Sequence, residues 1–191
     1  MQINVATKIT ILRILLIPII FIVLAVCDDK SIINLGIMEV HAPYFYAFLI
    51  YVIASLSDAV DGHIARKTNT ITNLGKFLDP IADKLLVNSI LIYFVYTGHI
   101  PVWATILMVA RDTIVDALRM ICVENNIVIA ASKWGKVKTV FQMVSIGLIF
   151  IFANPNVELA NWLLYLVYLT TFASVASGVD YIIKNYKQVF K

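Results

Sequence analysis

Cysteine is scarce in this chain, charge is thin, and no stretch spells out a nucleophilic constellation. The two cysteines, Cys27 and Cys122, sit in different hydrophobic segments without metal-type spacing, which excludes a disulfide framework and a cysteine-held zinc site. No Ser/His/Asp or Cys/His set can be made out and no Walker-type loop is present, so the residues favour direct displacement over a covalent intermediate. Charged residues make up only 14% of the 191 and the net charge is +3, which gives no case for nucleic-acid binding.

What fills the chain instead is apolar. Hydrophobic residues reach 61% and the mean hydropathy is +0.87, well outside the range of a soluble globular domain. The pattern predicts an all-α polytopic membrane protein, a single domain over 1–191 with six transmembrane helices. Helix 1 is expected over 7–26, with Pro18 in its middle. The first run could also be read as a signal peptide, but Val26 is bulky for a cleavage site and five more spans follow, so it is kept as a helix.

The second span starts near Tyr44. Its purely apolar part, 44–56, is too short to cross a bilayer, so the span must continue through Asp58 and Asp61 to Gly62, a length of about 28 Å. The third runs from about 72 or 73 to 96 with Pro80 inside, and the fourth covers 102–122. The fifth ends near 153 and the sixth near 183. Of the 15 lysines and arginines only Lys30 falls in a loop assigned outside. Both termini and the inner ends of helices 2 and 3 are therefore expected to face the cytoplasm. Trp103, Trp134 and Trp162 lie near span ends, as an interfacial belt requires.

One polar stretch, 58–83, interrupts this pattern. It carries Asp58 and Asp61 three apart at the end of one predicted helix, and Asp79 and Asp83 four apart near the start of the next. Each spacing places a pair on one helical face. Four carboxylates drawn together at headgroup depth repel one another unless cations neutralise them. Oxygen-only ligands suit hard ions, and a Mg²⁺ or Mn²⁺ pair roughly 3.5–4 Å apart is a common device for phosphoryl-type displacement. The cluster is thus read as a site for two Mg²⁺ or Mn²⁺ ions. Gly62 and Gly75 leave backbone open to close approach, and His63 reads as an interfacial side chain.

The spacing D-x2-D-G-x2-A-R-x8-G-x3-D-x3-D is met at Asp58, Asp61, Gly62, Ala65, Arg66, Gly75, Asp79 and Asp83. It resembles the signature of the CDP-alcohol phosphotransferase family, whose six-helix membrane domain would cover nearly the whole chain. The resemblance implies transfer of a phosphatidyl group from CDP-diacylglycerol to an alcohol with release of CMP. It makes Asp58, Asp61, Asp79 and Asp83 metal ligands and Asp83 also the catalytic base. The nucleotide would lie against Asp58, Asp61, Gly62, Ala65, Arg66 and Gly75. Family members often carry Pro-Asn ahead of the first helix; Ala6-Thr7 stands here, while the following Thr10 and Arg13 are kept as possible nucleotide contacts. A homodimer in the cytoplasmic membrane, with its active site on the inner side, is also implied.

The sequence from Ala65 to Leu86, the Ala110-Arg111-Asp112 run with Arg119, and Gly135-Lys136-Val137-Lys138-Thr139 resemble the family branch that uses glycerol 3-phosphate. A dianionic acceptor needs cations, and Arg111, Arg119, Lys136 and Lys138 are the candidates for its phosphate. The alternative reading makes them inner-side anchors and salt-bridge partners. Asp112, Asp116 and Arg119 fall on one stripe and can pair. Arg13 has two readings, snorkelling to the headgroups or binding a phosphate. Asp180 is expected to pair with a lysine. Siblings using inositol phosphate, serine or phosphatidylglycerol are the alternative. A cation transporter is the remote one, opposed by the lack of a deeper polar cluster or an inverted repeat.

Overall fold

The computed structural model describes residues 5–27, 31–34, 39–68, 73–124, 133–153 and 159–189; within these, the side chains at 5–6, 58–68, 73–77, 123–124, 133 and 187–189 are not described. Among the described residues six helices dominate: α1 (Val5–Val26), α2 (Ala42–Thr68), α3 (Asn73–Tyr96), α4 (Val102–Glu124), α5 (Lys133–Phe152) and α6 (Asn161–Val189). The chain divides into two compact units, Met1–Tyr93 with Gly147–Val157, and Phe94–Ile146 with Glu158–Lys191.

The first unit is built on α1, α2, most of α3 and the last turns of α5. Along α1 the buried side chains are Thr7, Thr10, Arg13, Ile17, Ile20 and Leu24. Their three-and-four spacing makes a single inward stripe, and α1 packs mainly against α2. On α2 the matching stripe is Tyr44, Ala47, Tyr51 and Ala54. Alanine at two of these four positions lets the helices approach closely. Tyr44 meets Tyr93 of α3 and Phe150 of α5 edge-on, at ring-centroid distances of 6.4 and 6.1 Å. These aromatics fill the centre of the unit.

Between α1 and α2 lies an antiparallel pair, β1 (Ile32–Asn34) and β2 (Glu39–His41), in the register Ile32 to His41, Ile33 to Val40 and Asn34 to Glu39. The sequence reading treated this stretch as plain loop. Three-residue strands are too short to show alternation, so the pairing left no periodic trace. The Ala42 amide donates to the Ser31 carbonyl at 2.8 Å, and Pro43 stands in the first turn of α2, where a missing N–H costs no hydrogen bond.

In the second unit α4 packs on α6. The buried side of α6 is small and hydroxylated, with Thr170, Thr171, Ser174 and Ser177 each at most 3% exposed and Gly178 beside them. Ser145 of α5 and Thr170 of α6 have hydroxyls 2.8 Å apart. The end of α3 is closed by Gly98 at φ +77°, with the His99 and Ile100 amides both donating to the Phe94 carbonyl. Glycine is needed at that left-handed turn.

The outward faces of both units are apolar. Leu12, Leu15 and Ile22 on α1, Ile106 on α4 and Phe172 on α6 are all more than half exposed. That is the inverse of a soluble surface and suits contact with lipid. Among the described residues, three helical stretches are long and apolar enough to cross a membrane: Thr7–Val26, Trp134–Phe152 and Asn161–Tyr186. Among the described residues α2 also carries the shorter apolar stretch Ala42–Ser57.

Candidate active site

Asp79 and Asp83 stand one turn apart on α3, both partly exposed. Asp79 is held from outside its own helix: the Thr10 hydroxyl on α1 donates to its Oδ1 at 2.6 Å, and Thr10 itself is fully buried. A hydroxyl bond of this kind fixes the direction in which a carboxylate offers its oxygens. One turn along α1, Arg13 is 1% exposed and its Nε donates to the Ala54 carbonyl of α2 at 3.1 Å. It therefore does not snorkel. A guanidinium inside a membrane bundle is turned to protein acceptors instead of lipid.

On α2, positions 58 and 61 continue the three-and-four register of Tyr44, Ala47, Tyr51 and Ala54 along a helix that runs on to Thr68. The side chains of Asp58, Asp61, Gly62, Ala65, Arg66 and Gly75 lie outside those described. Among the described residues no group of three or more His, Cys, Asp or Glu could hold a metal. The part that is described suits a hard divalent ion in donor chemistry: two carboxylates on one helix, one of them oriented by a buried hydroxyl.

The second unit holds a different arrangement. On α4, Arg111 Nη1 donates to Asp112 Oδ1 at 2.8 Å and Nη2 donates to Ser177 Oγ on α6 at 2.7 Å. Lys138 of α5 reaches both oxygens of Asp112, at 2.8 and 2.6 Å. The three charged side chains are only 5–14% exposed. Asp112 thus joins residues 111 and 138, a pairing that the stripe Asp112, Asp116, Arg119 did not suggest. Arg119 and Lys136 are exposed. Asp180 pairs with Lys184 at 2.7 Å, one turn on, as expected.

Two members of this network were missed from the sequence, Ser177 and Gly178. The Arg111 stem crosses α6 so closely that a Cβ on Gly178 would fall 2.7 Å from Arg111 Cγ. The only trace in the sequence is the series of small residues Ser174, Ser177 and Gly178, which signals close helix packing and nothing more specific.

Comparison with known proteins agrees with the motif. The sequence model of the CDP-alcohol phosphatidyltransferase family matches residues 3–173. Over 191 residues the chain is 35% identical to the CDP-diacylglycerol--glycerol-3-phosphate 3-phosphatidyltransferase of Bacillus subtilis (strain 168), covering 96% of each chain. The protein of the same description from Haemophilus influenzae (strain ATCC 51907 / DSM 11121 / KW20 / Rd) is 34% identical over 187 residues, 95% of this chain and 93% of its own. A third, from Mycoplasma pneumoniae (strain ATCC 29342 / M129 / Subtype 1), is 34% identical over 158 residues, 76% of this chain and 70% of its own.

Proposed function

The chain belongs to the CDP-alcohol phosphatidyltransferase family, and from that premise we propose that it transfers the phosphatidyl group of CDP-diacylglycerol to sn-glycerol 3-phosphate, giving phosphatidylglycerophosphate and CMP. Its relatives named for this reaction span nearly the whole chain. The observation that carries the proposal is the pair Asp79 and Asp83, set one turn apart on α3 with Asp79 oriented by Thr10, within a motif matched at all eight positions.

In this reading the primary hydroxyl of glycerol 3-phosphate attacks the phosphorus that carries the diacylglycerol. A new P–O bond forms there, the pyrophosphate P–O bond to the nucleotide breaks, and CMP leaves with the bonding pair. Asp83 takes the hydroxyl proton. Asp58, Asp61, Asp79 and Asp83 would hold Mg²⁺ or Mn²⁺, two ions being proposed, which neutralise charge on the pyrophosphate when bound. Thr10 keeps Asp79 aimed. Gly62, Ala65, Arg66 and Gly75 lie against the nucleotide with Asp58 and Asp61. Arg111, Arg119, Lys136 and Lys138 serve the acceptor's phosphate.

The proposal extends to a single membrane domain over 1–191, with six spans, both termini and the site on the cytoplasmic side, and a homodimeric assembly in the cytoplasmic membrane. The distribution of basic residues supports the orientation. To test the reaction, purified protein is incubated with CDP-diacylglycerol, Mg²⁺ and, in turn, glycerol 3-phosphate, inositol phosphate, serine and phosphatidylglycerol, and CMP release is followed. Release with glycerol 3-phosphate alone is expected. Release only with another alcohol would reassign the acceptor, and Mg²⁺ flux through liposomes without CMP would remove the enzyme.

A further inference from the structure

The guanidinium of Arg111 is held at two nitrogens and unmet at the third. Its Nη1 and Nη2 are taken by Asp112 and Ser177, whereas Nε is buried without a hydrogen-bond partner among the described residues. An unmet donor on a charged group inside a bilayer-embedded unit is unfavourable, and proteins keep such groups where a ligand completes them. Asp112 meets the guanidinium at Nη1 and Lys138 at both of its oxygens.

The surroundings of Arg111 on α6 are shaped to hold that posture. With Gly178 bare, the Arg111 stem lies directly on the helix backbone. A methyl group there would stand 2.7 Å from Cγ, 3.6 Å from Nε and 3.7 Å from Cδ. The first distance forces the side chain to move. Ser177, 1% exposed, supplies the hydrogen bond that fixes the other end of the fork. An arginine recognises an oxyanion through paired parallel N–H bonds, so its rotation matters as much as its charge.

We propose that Ser177 and Gly178 of α6 are positioning residues for acceptor recognition: they aim Arg111 at the phosphate of the acceptor, with Asp112 setting its distance from Lys138. The inference rests on the acceptor reading given above and names residues outside the family motif.

The test uses the full-length enzyme in detergent–phospholipid micelles, with CMP release measured while each substrate is varied against saturation of the other. Gly178→Ala is expected to raise KM for glycerol 3-phosphate about tenfold while KM for CDP-diacylglycerol changes by less than about twofold. Ser177→Ala adds no volume, so it keeps the test open should Gly178→Ala not fold; it is expected to raise the same KM about threefold. A merely structural role would move both KM values or neither, and either result from the folded variants overturns the proposal. Arg111→Ala separates the two levels. If it leaves KM for glycerol 3-phosphate unchanged, the acceptor reading falls and this inference with it. If it raises that KM while Ser177→Ala and Gly178→Ala do not, the acceptor reading stands and the positioning role of α6 is overturned.

Discussion

The acidic helix of the first unit and the cationic network of the second solve opposite problems. On α3 two like charges sit one turn apart, and the bond described for Asp79 comes from a neutral hydroxyl. In the second unit the charges are of opposite sign and close on each other, with Asp112 between Arg111 and Lys138. Like charges kept together are unfavourable unless something bound relieves them, whereas a closed ion pair supports the fold even before any ligand arrives. The difference teaches which readout to watch: removal of a group should register in kcat at the first site, and in folding and acceptor KM at the second.

The largest effect expected on that comparison is kinetic. Asp83→Asn should lower kcat about a thousandfold in the CMP-release assay, with CDP-diacylglycerol binding retained; substantial residual turnover would take the base away from Asp83. Next comes a stability contrast, read by denaturant unfolding in detergent. Asp112→Ala should cost about 3 kcal/mol, since it removes the carboxylate shared by Arg111 and Lys138, while Asp79→Ala should cost under about 1 kcal/mol, the worth of one neutral hydrogen bond. Equal losses would erase the distinction between the two sites. Thr10→Val then sharpens it from the acidic side. Mn²⁺ should bind about tenfold more weakly, measured by direct titration of the metal without substrate, and unchanged affinity would reduce Thr10 to a packing residue. Asp180→Asn is the smallest. Its Lys184 partner is 61% exposed, so loss of this helical pair should shift stability by less than about 0.5 kcal/mol.

The same contrast explains what could be read in advance. The acidic motif is written in one stretch of 26 positions, 58–83, so its spacing could be read directly from the sequence. Six helices were also legible, because long apolar runs leave few alternatives in a bilayer. Their ends were less so: α2 runs on to Thr68 and α6 to Val189, beyond the apolar limits at 62 and 183, because helical backbone need not stop where hydrophobicity does. Arg111 and Lys138 were named as cations in advance, but the way they connect escaped because the network's members come from α4, α5 and α6. Nothing in the order of residues says that Lys138 reaches Asp112 or that Gly178 lies under Arg111. The two readings of Arg13 could not be separated for a related reason, since its acceptor is a backbone carbonyl 41 residues away.

Thr10 and Arg13 lie one turn apart on α1 and grip different neighbours, the first α3 at Asp79 and the second α2 at Ala54, one turn ahead of position 58. The N-terminal helix is in effect a gauge bar clamped to both acid-bearing helices, so their mutual height is referred to it as well as to the connection between them. A single residue inserted between Thr10 and Arg13 would swing one clamp about 100° from the other. The spacing of the two carboxylate pairs would then lose its outside reference while every motif residue stayed in place.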